Sequence, residues 1–523
     1  FNKILRSDIV SNNKTGFGTR TGFALAAAGS AIGLGNLWGF PYKVSANGGS
    51  AYLFVYIACI LLLGAVAMTA EFSLGRFGRA NTVSTFKKLS PKLGWAGLLA
   101  VLIPFLIMCY YYVLGGFSLK FALNSFAGNK GNFHSFAGNY GDVILHSFLF
   151  AFIAFIIVAA GVRKGIERTA KILMPTVIFF LILIAMVSLT LGEGVSEGIA
   201  YYLRPDFSQL NASSVLSAMG QAFFSLSLGC GVMIAYGSYS GEKVSITGAT
   251  AAVCIIDVVI TFLMGFAVFP AVFHYSAVTG ISLSELGLGS FGLMFVTMSM
   301  VFEDIPYIGN LISLLFFSMA AIAAVTSVIS LLEVVTQFII QRYRVFRSRA
   351  ALFISLICFL LSIPVAFSLG SSLNGTATVS LFGHNLFEYL DITTNTLLMP
   401  LCALMSCVAA SKLIKRGGAL SRGYFPVMVK FITPALIIVI EIFGIIDLIA
   451  PGGSFSAGGC GIVVTALVLV ALCIAVYFGF FEKQRTGCNE DELKIDAEEA
   501  VRRKTGLPRG WSRPESEGEH EKR

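Results

Sequence analysis

Residues 29–36, Gly29-Ser30-Ala31-Ile32-Gly33-Leu34-Gly35-Asn36, place three glycines inside an apolar run that extends from Phe23 to Phe40. Glycine in a helix interior costs about 1 kcal/mol against alanine. In hydrocarbon the problem is stricter, because every freed N–H and C=O needs a partner. A chain with this stretch must fold so that something packs against the interruption and satisfies it. A second apolar run is broken in the same way at Ser225-Leu226-Ser227-Leu228-Gly229-Cys230-Gly231. Two glycine-broken spans in corresponding halves mark the substrate and ion site of a secondary transporter.

Composition puts both runs in a bilayer. Of 523 residues, 56% are hydrophobic and only 12% charged, far outside the soluble range. At about 20 apolar residues per crossing, the chain supplies roughly a dozen. They lie near 20–42, 50–75, 95–124, 144–161, 172–191, 213–237, 246–274, 309–340, 350–369, 391–412, 427–449 and 460–481. Phe1 to Arg20 is polar and reads as a tail, not a signal peptide. Glu482 to Arg523 reads as a solvated tail, with room for a short amphipathic helix around 490–504.

The formal charge of +9 invites a nucleic-acid reading, which the distribution removes. Basic residues collect in alternate loops: Arg76, Arg79, Lys87, Lys88 and Lys92; Arg163, Lys164, Arg168 and Lys171; Arg342, Arg344, Arg347 and Arg349; Lys412, Lys415, Arg416 and Arg422. The opposite loops hold little beyond Lys43, Lys130 and Arg204. This positive-inside asymmetry predicts a multi-pass protein of the cell membrane with both termini cytoplasmic. Seven of the ten cysteines fall in apolar spans, no CxxC pair occurs, and the five histidines form no cluster. Neither a disulfide framework nor a metal cluster is expected. The run Gly287-Leu288-Gly289-Ser290-Phe291-Gly292 is formally GxGxxG, but with no preceding strand it reads as an external loop.

The sequence Gly33-Leu34-Gly35-Asn36-Leu37-Trp38-Gly39-Phe40-Pro41-Tyr42, followed by Asn47-Gly48-Gly49, resembles the first-helix signature of the neurotransmitter:sodium symporters. So do Lys164-Gly165-Ile166-Glu167-Arg168 with Met174-Pro175, and Gln221-Ala222-Phe223-Phe224-Ser225-Leu226-Ser227. The similarity runs over about residues 14–482, and the short Gly/Asn-rich connection at 125–142 favours a bacterial amino-acid transporter type. The resemblance implies an all-α polytopic membrane protein of about 12 helices with a LeuT-like fold. Its two five-helix repeats would have inverted topology, with the first and sixth helices unwound. The expected divisions are an N-tail over 1–16, a first repeat over 17–191, an external connection over 192–212, a second repeat over 213–412, helices eleven and twelve over 413–481, and a C-tail over 482–523.

By the same resemblance, one sodium would be held by Ala31, Asn36, Ser225 and Asp257, completed by the substrate carboxylate. A second would take the carbonyls of Gly29, Ile32 and Ala323 and the hydroxyls of Thr326 and Ser327. These are the hard oxygen donors that sodium prefers, and no organic cofactor is implied. Asp257 stands in the apolar run Ala251 to Val268, where a carboxylate costs at least ~2.5–3.5 kcal/mol and reads as functional. In chloride-dependent members that position is Asn, with chloride held nearby by groups matched here by Tyr56, Gln221, Ser225 and Thr261. A built-in carboxylate should make chloride dispensable.

The resemblance also shapes the pocket. Gly33 stands where monoamine carriers place an aspartate, so the substrate should carry its own carboxylate. Tyr111 would hydrogen-bond that carboxylate, beside backbone at Ala31 and Gly35. Ile107, Phe224, Ser225, Ser227, Cys230, Ser327 and Leu331, with Leu34 nearby, would surround the side chain. That lining suits a neutral, hydrophobic or aromatic amino acid. Cys230 replaces a bulky aromatic of relatives and should enlarge the pocket. Tyr110 and Tyr112 should point elsewhere on the helix.

The gates depart from the family. Gly39 replaces the outer Arg while Asp391 is retained, and Lys43 lies one turn on (i, i+4). At the inner gate, with Tyr239, Lys14 and Phe17 stand for the usual Arg and Trp, and Gln341 for an Asp. Gating is therefore expected to rest less on ion pairs. The resulting expectation is a sodium-coupled, alternating-access carrier of a neutral amino acid, active as a monomer in the lipid bilayer. A non-transporting sensor of the same fold and a carrier of another small carboxylate are the alternatives. A membrane enzyme lacks a nucleophile–base pair, and a channel lacks a repeated filter.

Overall fold

A computed structural model of the chain describes residues 16–128, 133–283, 285–286, 293–303, 305, 307–373, 380–381, 384–450 and 455–482. Lys14, the glycine run at 287–292 and the tail beyond 482 lie outside them. A compact body ends at Val470, and a smaller unit begins at Ala471. The site described below lies in the body.

Ten helices among the described residues are long and apolar enough to cross a membrane. In chain order they are span 2 (Ser50–Gly78), span 3 (Pro91–Phe126), span 4 (Tyr140–Ala159), span 5 (Val162–Ser188), span 7 (Ile246–Thr279), span 8 (Gly309–Tyr343), span 9 (Arg347–Gly370), span 10 (Leu386–Arg416), span 11 (Phe425–Ile449) and span 12 (Ala457–Gly479). Span 1 is a bent pair, Arg20–Ala31 and Gly35–Ala46, whose axes differ by 57°. Span 6 is likewise a pair, Ala212–Ser225 and Val232–Tyr239, each half too short to cross alone. With these two the count reaches the expected twelve. Spans 1–5 and 6–10 form two sets that each open on a broken helix. Five crossings is an odd number, so the second set enters the bilayer from the opposite face and its topology is inverted.

The local chemistry explains the breaks. The first half of span 1 starts at Thr19, whose hydroxyl caps the Gly22 N–H at 2.9 Å, an ordinary N-cap. It ends when Ile32 turns to φ −91°, ψ 90° after donating to the Ala28 carbonyl. In span 6 the chain passes through positive φ at Ser227, Gly229 and Gly231, a conformation that glycine adopts freely and serine only at a cost. The intact spans pack around these breaks. Span 8 lies along span 3, and the second half of span 6 lies on span 2. The latter approach is close, since a Cβ on Gly237 would sit 2.6 Å from the Phe72 carbonyl oxygen. Outward, the helices present Leu, Ile, Val and Phe side chains, as a surface facing lipid must.

Candidate functional site

The two breaks satisfy each other. The Ser30 carbonyl, released where span 1 unwinds, accepts hydrogen bonds from the Ser227 hydroxyl at 2.8 Å and the Ser327 hydroxyl at 3.2 Å. The Ser30 side chain pairs with Ser330 at 2.6 Å. On the other side, the Gly229 N–H donates to Glu71 Oε1 of span 2 at 2.9 Å. Glu71 is a buried acid that sequence reasoning did not single out. Unwound backbone at mid-membrane is thus held by side chains from spans 2 and 8, leaving the remaining backbone groups to face a cavity.

That cavity is small, about 30 Å³, and is lined from spans 1, 3, 6, 8 and 10. Ala31, Gly35, Ile107, Tyr111, Phe224, Ser225, Ser227, Cys230, Ser327 and Leu331, the expected pocket residues, all contribute to its wall. Leu34 does not line it; its backbone N–H instead donates to the Tyr111 hydroxyl at 3.0 Å. That hydroxyl also has Ser327 within hydrogen-bond reach. Tyr110 turns away to pack edge-on against Phe387, and Tyr112 meets Ser355 at 3.2 Å. Met399 of span 10 lines the cavity and was not foreseen. Its only sequence signal was the Met-Pro pair at 399–400, where span 10 passes from a wide turn into regular helix.

No charged side chain lines the cavity. Gly33 explains part of this. A Cβ there would stand 2.5 Å from Ser327 Oγ and 2.6 Å from Tyr111 Oη, so a carboxylate at this position has no room. Gly35 is equally constrained, with Phe224 Cε1 at 2.5 Å from a built Cβ.

Beside the cavity lies a fully buried polar cluster. Asp257 Oδ1 accepts from Ser225 Oγ at 2.5 Å and from Asn36 Nδ2 at 2.8 Å, and Oδ2 accepts from Tyr56 Oη at 2.9 Å. Asn36 Nδ2 also approaches Ser225 Oγ at 2.8 Å and Thr261 Oγ1 at 3.0 Å. Asn36 Oδ1 is buried with no partner. Among the described residues, no Lys, Arg or His forms an ion pair with Asp257. An acid and an orphaned amide oxygen stand together without a cation. Gln221 does not join the cluster: its Nε2 reaches the Gly35 carbonyl at 3.0 Å.

The second proposed ion group also comes together. Thr326 Oγ1 donates to the Ala323 carbonyl at 2.9 Å, and a Cβ on Gly29 would lie 3.3 Å from the Thr326 Cβ. Ile32, in extended backbone, turns its carbonyl off the helical track. The residues span the break of span 1 and the middle of span 8.

Past the break of span 1, Lys43 and Asp391 are near enough to interact electrostatically but form no ion pair. Asp391 Oδ1 instead accepts from Asn395 Nδ2 at 2.6 Å. At the inner end, Phe17 donates its N–H to the Tyr239 carbonyl at 3.3 Å, and its ring meets Phe23 and Tyr236 edge-on. Gln341 accepts from both the backbone N–H and the amide of Asn81 at 2.8 Å, away from that arm. The structure supplies an ion pair that the sequence reading lacked. Glu333, fully buried in span 8, is bound by Arg347 and accepts from Tyr239 Oη at 2.6 Å. Glu167 clasps the arm from span 5, accepting from the Gly18 N–H at 2.6 Å, Thr19 Oγ1 at 2.8 Å and Lys171 Nζ at 2.6 Å.

Comparison with known proteins gives this geometry its context. A solved structure, MhsT in complex with L-phenylalanine, superposes with a TM-score of 0.74 at 34% identity, covering 82% of this chain and 99% of that one. An uncharacterised sodium-dependent transporter of Bacillus subtilis, YhdH, is 32% identical over 445 residues, 81% of this chain and 96% of its own length. The sodium-dependent serotonin transporter of Drosophila melanogaster is 28% identical over 414 residues, 69% of this chain and 66% of its own. The sodium:neurotransmitter symporter family model matches residues 14–134 and 132–482. Two broken helices closing on one uncharged cavity, and a family match over nearly the whole chain, lead to one conclusion: this chain belongs to the sodium:neurotransmitter symporter family and is a sodium-dependent transporter, not an enzyme.

Proposed function

We propose that the chain carries a neutral, hydrophobic or aromatic amino acid inward with two sodium ions, independently of chloride, through the cell membrane. The observation that carries this reading is the chemistry of the cavity wall, which offers the Tyr111 hydroxyl for a carboxylate but no acid for an amine; at about 30 Å³ the cavity has to widen to admit the side chain. Its remaining wall of Ile107, Phe224, Leu331 and Met399 is apolar. The ligand in the MhsT structure, L-phenylalanine, is of the same class.

In this reading the substrate carboxylate meets the Tyr111 hydroxyl and the first sodium, which Ala31, Asn36, Ser225 and Asp257 hold. The orphaned Asn36 Oδ1 and the uncompensated Asp257 carboxylate favour a cation there, since a buried charge needs a counter-charge. Gly29, Ile32, Ala323, Thr326 and Ser327 hold the second ion and tie span 1 to span 8. Asp257 supplies the fixed negative charge that chloride would otherwise bring. Two sodium charges falling through ~100 mV release about 4.6 kcal/mol, which supports accumulation by roughly three decades. Both termini lie on the cytoplasmic side, and one chain holds the complete site.

Thermal unfolding of the purified protein tests the ligand class. Phenylalanine, tryptophan, leucine and methionine should raise the midpoint in sodium and not in potassium. Tryptamine should leave it unchanged; stabilisation by tryptamine equal to that by tryptophan would refute the carboxylate requirement.

A further inference from the structure

A second cavity, of about 540 Å³, opens where basic loops meet and shares no lining residue with the first. The ends of spans 2 and 10, the start of span 7 and the loops at 240–247 and 413–422 form it. Its apolar wall includes Phe77, Leu413 and Leu420, and its basic wall is Arg76, Arg416 and Arg422.

The arginines have different tasks. Arg76 is committed to the protein, donating to Ser240 Oγ at 3.1 Å, the Gly241 carbonyl at 3.3 Å and the Val244 carbonyl at 2.8 Å. Arg416 stacks over Phe77 at 4.8 Å and is exposed. Arg422 is exposed too, and neither Arg416 nor Arg422 has a carboxylate partner among the described residues. The single acid on the wall, Glu242, already faces Arg79 at 4.0 Å. Span 7, 34 residues long, begins at this wall. Ser245 caps only its Gly248 N–H, at 3.1 Å, so the amides of Ile246 and Thr247 remain as the positive end of the helix dipole.

We propose that this cavity binds the phosphate headgroup of an anionic phospholipid from the leaflet that borders the basic loops. Arg416 and Arg422 would grip the phosphate as planar, delocalised donors, and the amides at the start of span 7 would add two more. A free phosphate or nucleotide would use the same donors, but would leave Phe77, Leu413 and Leu420 uncovered. The glycerol and first acyl carbons of a phospholipid cover them, at the depth where spans 2, 7 and 10 leave the hydrocarbon. Occupancy would brace the 240–247 loop, which directly follows the second half of span 6. The lipid thus acts on one of the two broken helices without touching the substrate cavity.

Native mass spectrometry of the full-length protein, released from mixed phosphatidylglycerol and phosphatidylcholine, reads this without any transport assay. Wild type should retain phosphatidylglycerol in preference to phosphatidylcholine. Each exposed arginine removed should weaken that preference about fivefold, so Arg416→Ala with Arg422→Ala should abolish it, while Arg416→Lys with Arg422→Lys should keep much of it. Excess inorganic phosphate should not displace the lipid. Unchanged retention in the double alanine variant, with its fold verified by an unaltered unfolding midpoint, overturns the site. Displacement by inorganic phosphate overturns the lipid assignment in favour of a free phosphate ligand.

Discussion

The hydroxyl of Ser227 donates to the carbonyl of Ser30 at 2.8 Å, so the break in span 6 closes the break in span 1. Neither half-helix pair could persist alone in hydrocarbon, because each leaves backbone groups that lipid cannot satisfy. Ser227 holds the pose at φ +50°, outside the conformations serine prefers.

Asp257 is the first residue to test. Asp257→Asn removes the only charge of the buried cluster while keeping its shape. Sodium affinity should fall by about tenfold or more, the effect of losing one charge-assisted contact in a dry site. Added chloride should partly restore uptake in the variant and do nothing for the wild type. Equilibrium binding of labelled amino acid against sodium concentration reads both effects. Chloride dependence in the wild type would remove the role given to Asp257.

Pocket size is the second. Cys230→Phe adds a ring to a wall that already holds Phe224, Leu331 and Met399, and overpacking costs ~1–3 kcal/mol. Tryptophan and phenylalanine should lose roughly 5- to 100-fold in affinity, while alanine and glycine lose little. Gly33→Asp should abolish binding of all amino acids, since its first side-chain carbon already collides with Ser327 and Tyr111. Competition against one labelled substrate gives the ranking. Equal losses for large and small substrates would show that Cys230 does not set the size limit.

At the proposed outer gate, Lys43 and Asp391 form no ion pair, and Asp391 accepts from Asn395. If Lys43 replaces the missing Arg, the pair forms when the vestibule closes. Lys43 and Asp391 are half-buried, not exposed, so Lys43→Ala should shift the gate by at least the ~1 kcal/mol at the upper end for surface pairs and spare sodium affinity. Gly39→Arg should favour closure; a Cβ at Gly39 meets only Gln221, at 3.7 Å. The readout is labelling of a vestibule cysteine by an impermeant thiol reagent. A changed rate in Asp391→Ala beside an unchanged one in Lys43→Ala would assign Asp391 to another partner.

At the proposed inner gate, Glu333→Gln should strongly destabilise the contacts that Glu333 makes with Arg347 and Tyr239. Leaving Arg347 buried without its acid costs ~3–5 kcal/mol. The unfolding midpoint should fall, and a cysteine placed near Phe17 should label faster. A double change, Glu333→Met with Arg347→Met, should recover most of the stability but not the gating, because apolar packing can replace a buried pair's energy without its switch. A single variant as stable and as slowly labelled as wild type would contradict the gate role.

Much of this was legible in the residues. The glycines at 29–36 and 229–231 announced breaks, because glycine inside an apolar span has few other uses. Asp257 in an apolar run pointed to a buried carboxylate needing partners, and it sits in a hydrogen-bonded cluster. The pocket wall followed from the resemblance because its residues stand at the family's positions. Met399, Glu71 and the Glu333–Arg347 pair were not legible for a shared physical reason. Each acts across a helix interface, and side-chain direction between distant spans depends on packing angles that no local pattern encodes. Gln341 shows the converse: its sequence position suggested the gate, but its amide oxygen accepts from Asn81, the residue that caps the helix starting at Thr82.

The central claim is that sodium drives an amino acid through the cavity between the two breaks. Uptake of labelled L-phenylalanine into proteoliposomes, under an inward sodium gradient with gluconate in place of chloride, tests it most directly. The account predicts concentrative uptake that collapses when potassium replaces sodium, and that is lost in Asp257→Asn without added chloride. Sodium-independent equilibration of the amino acid, or none at all in a protein that binds it, would contradict the account.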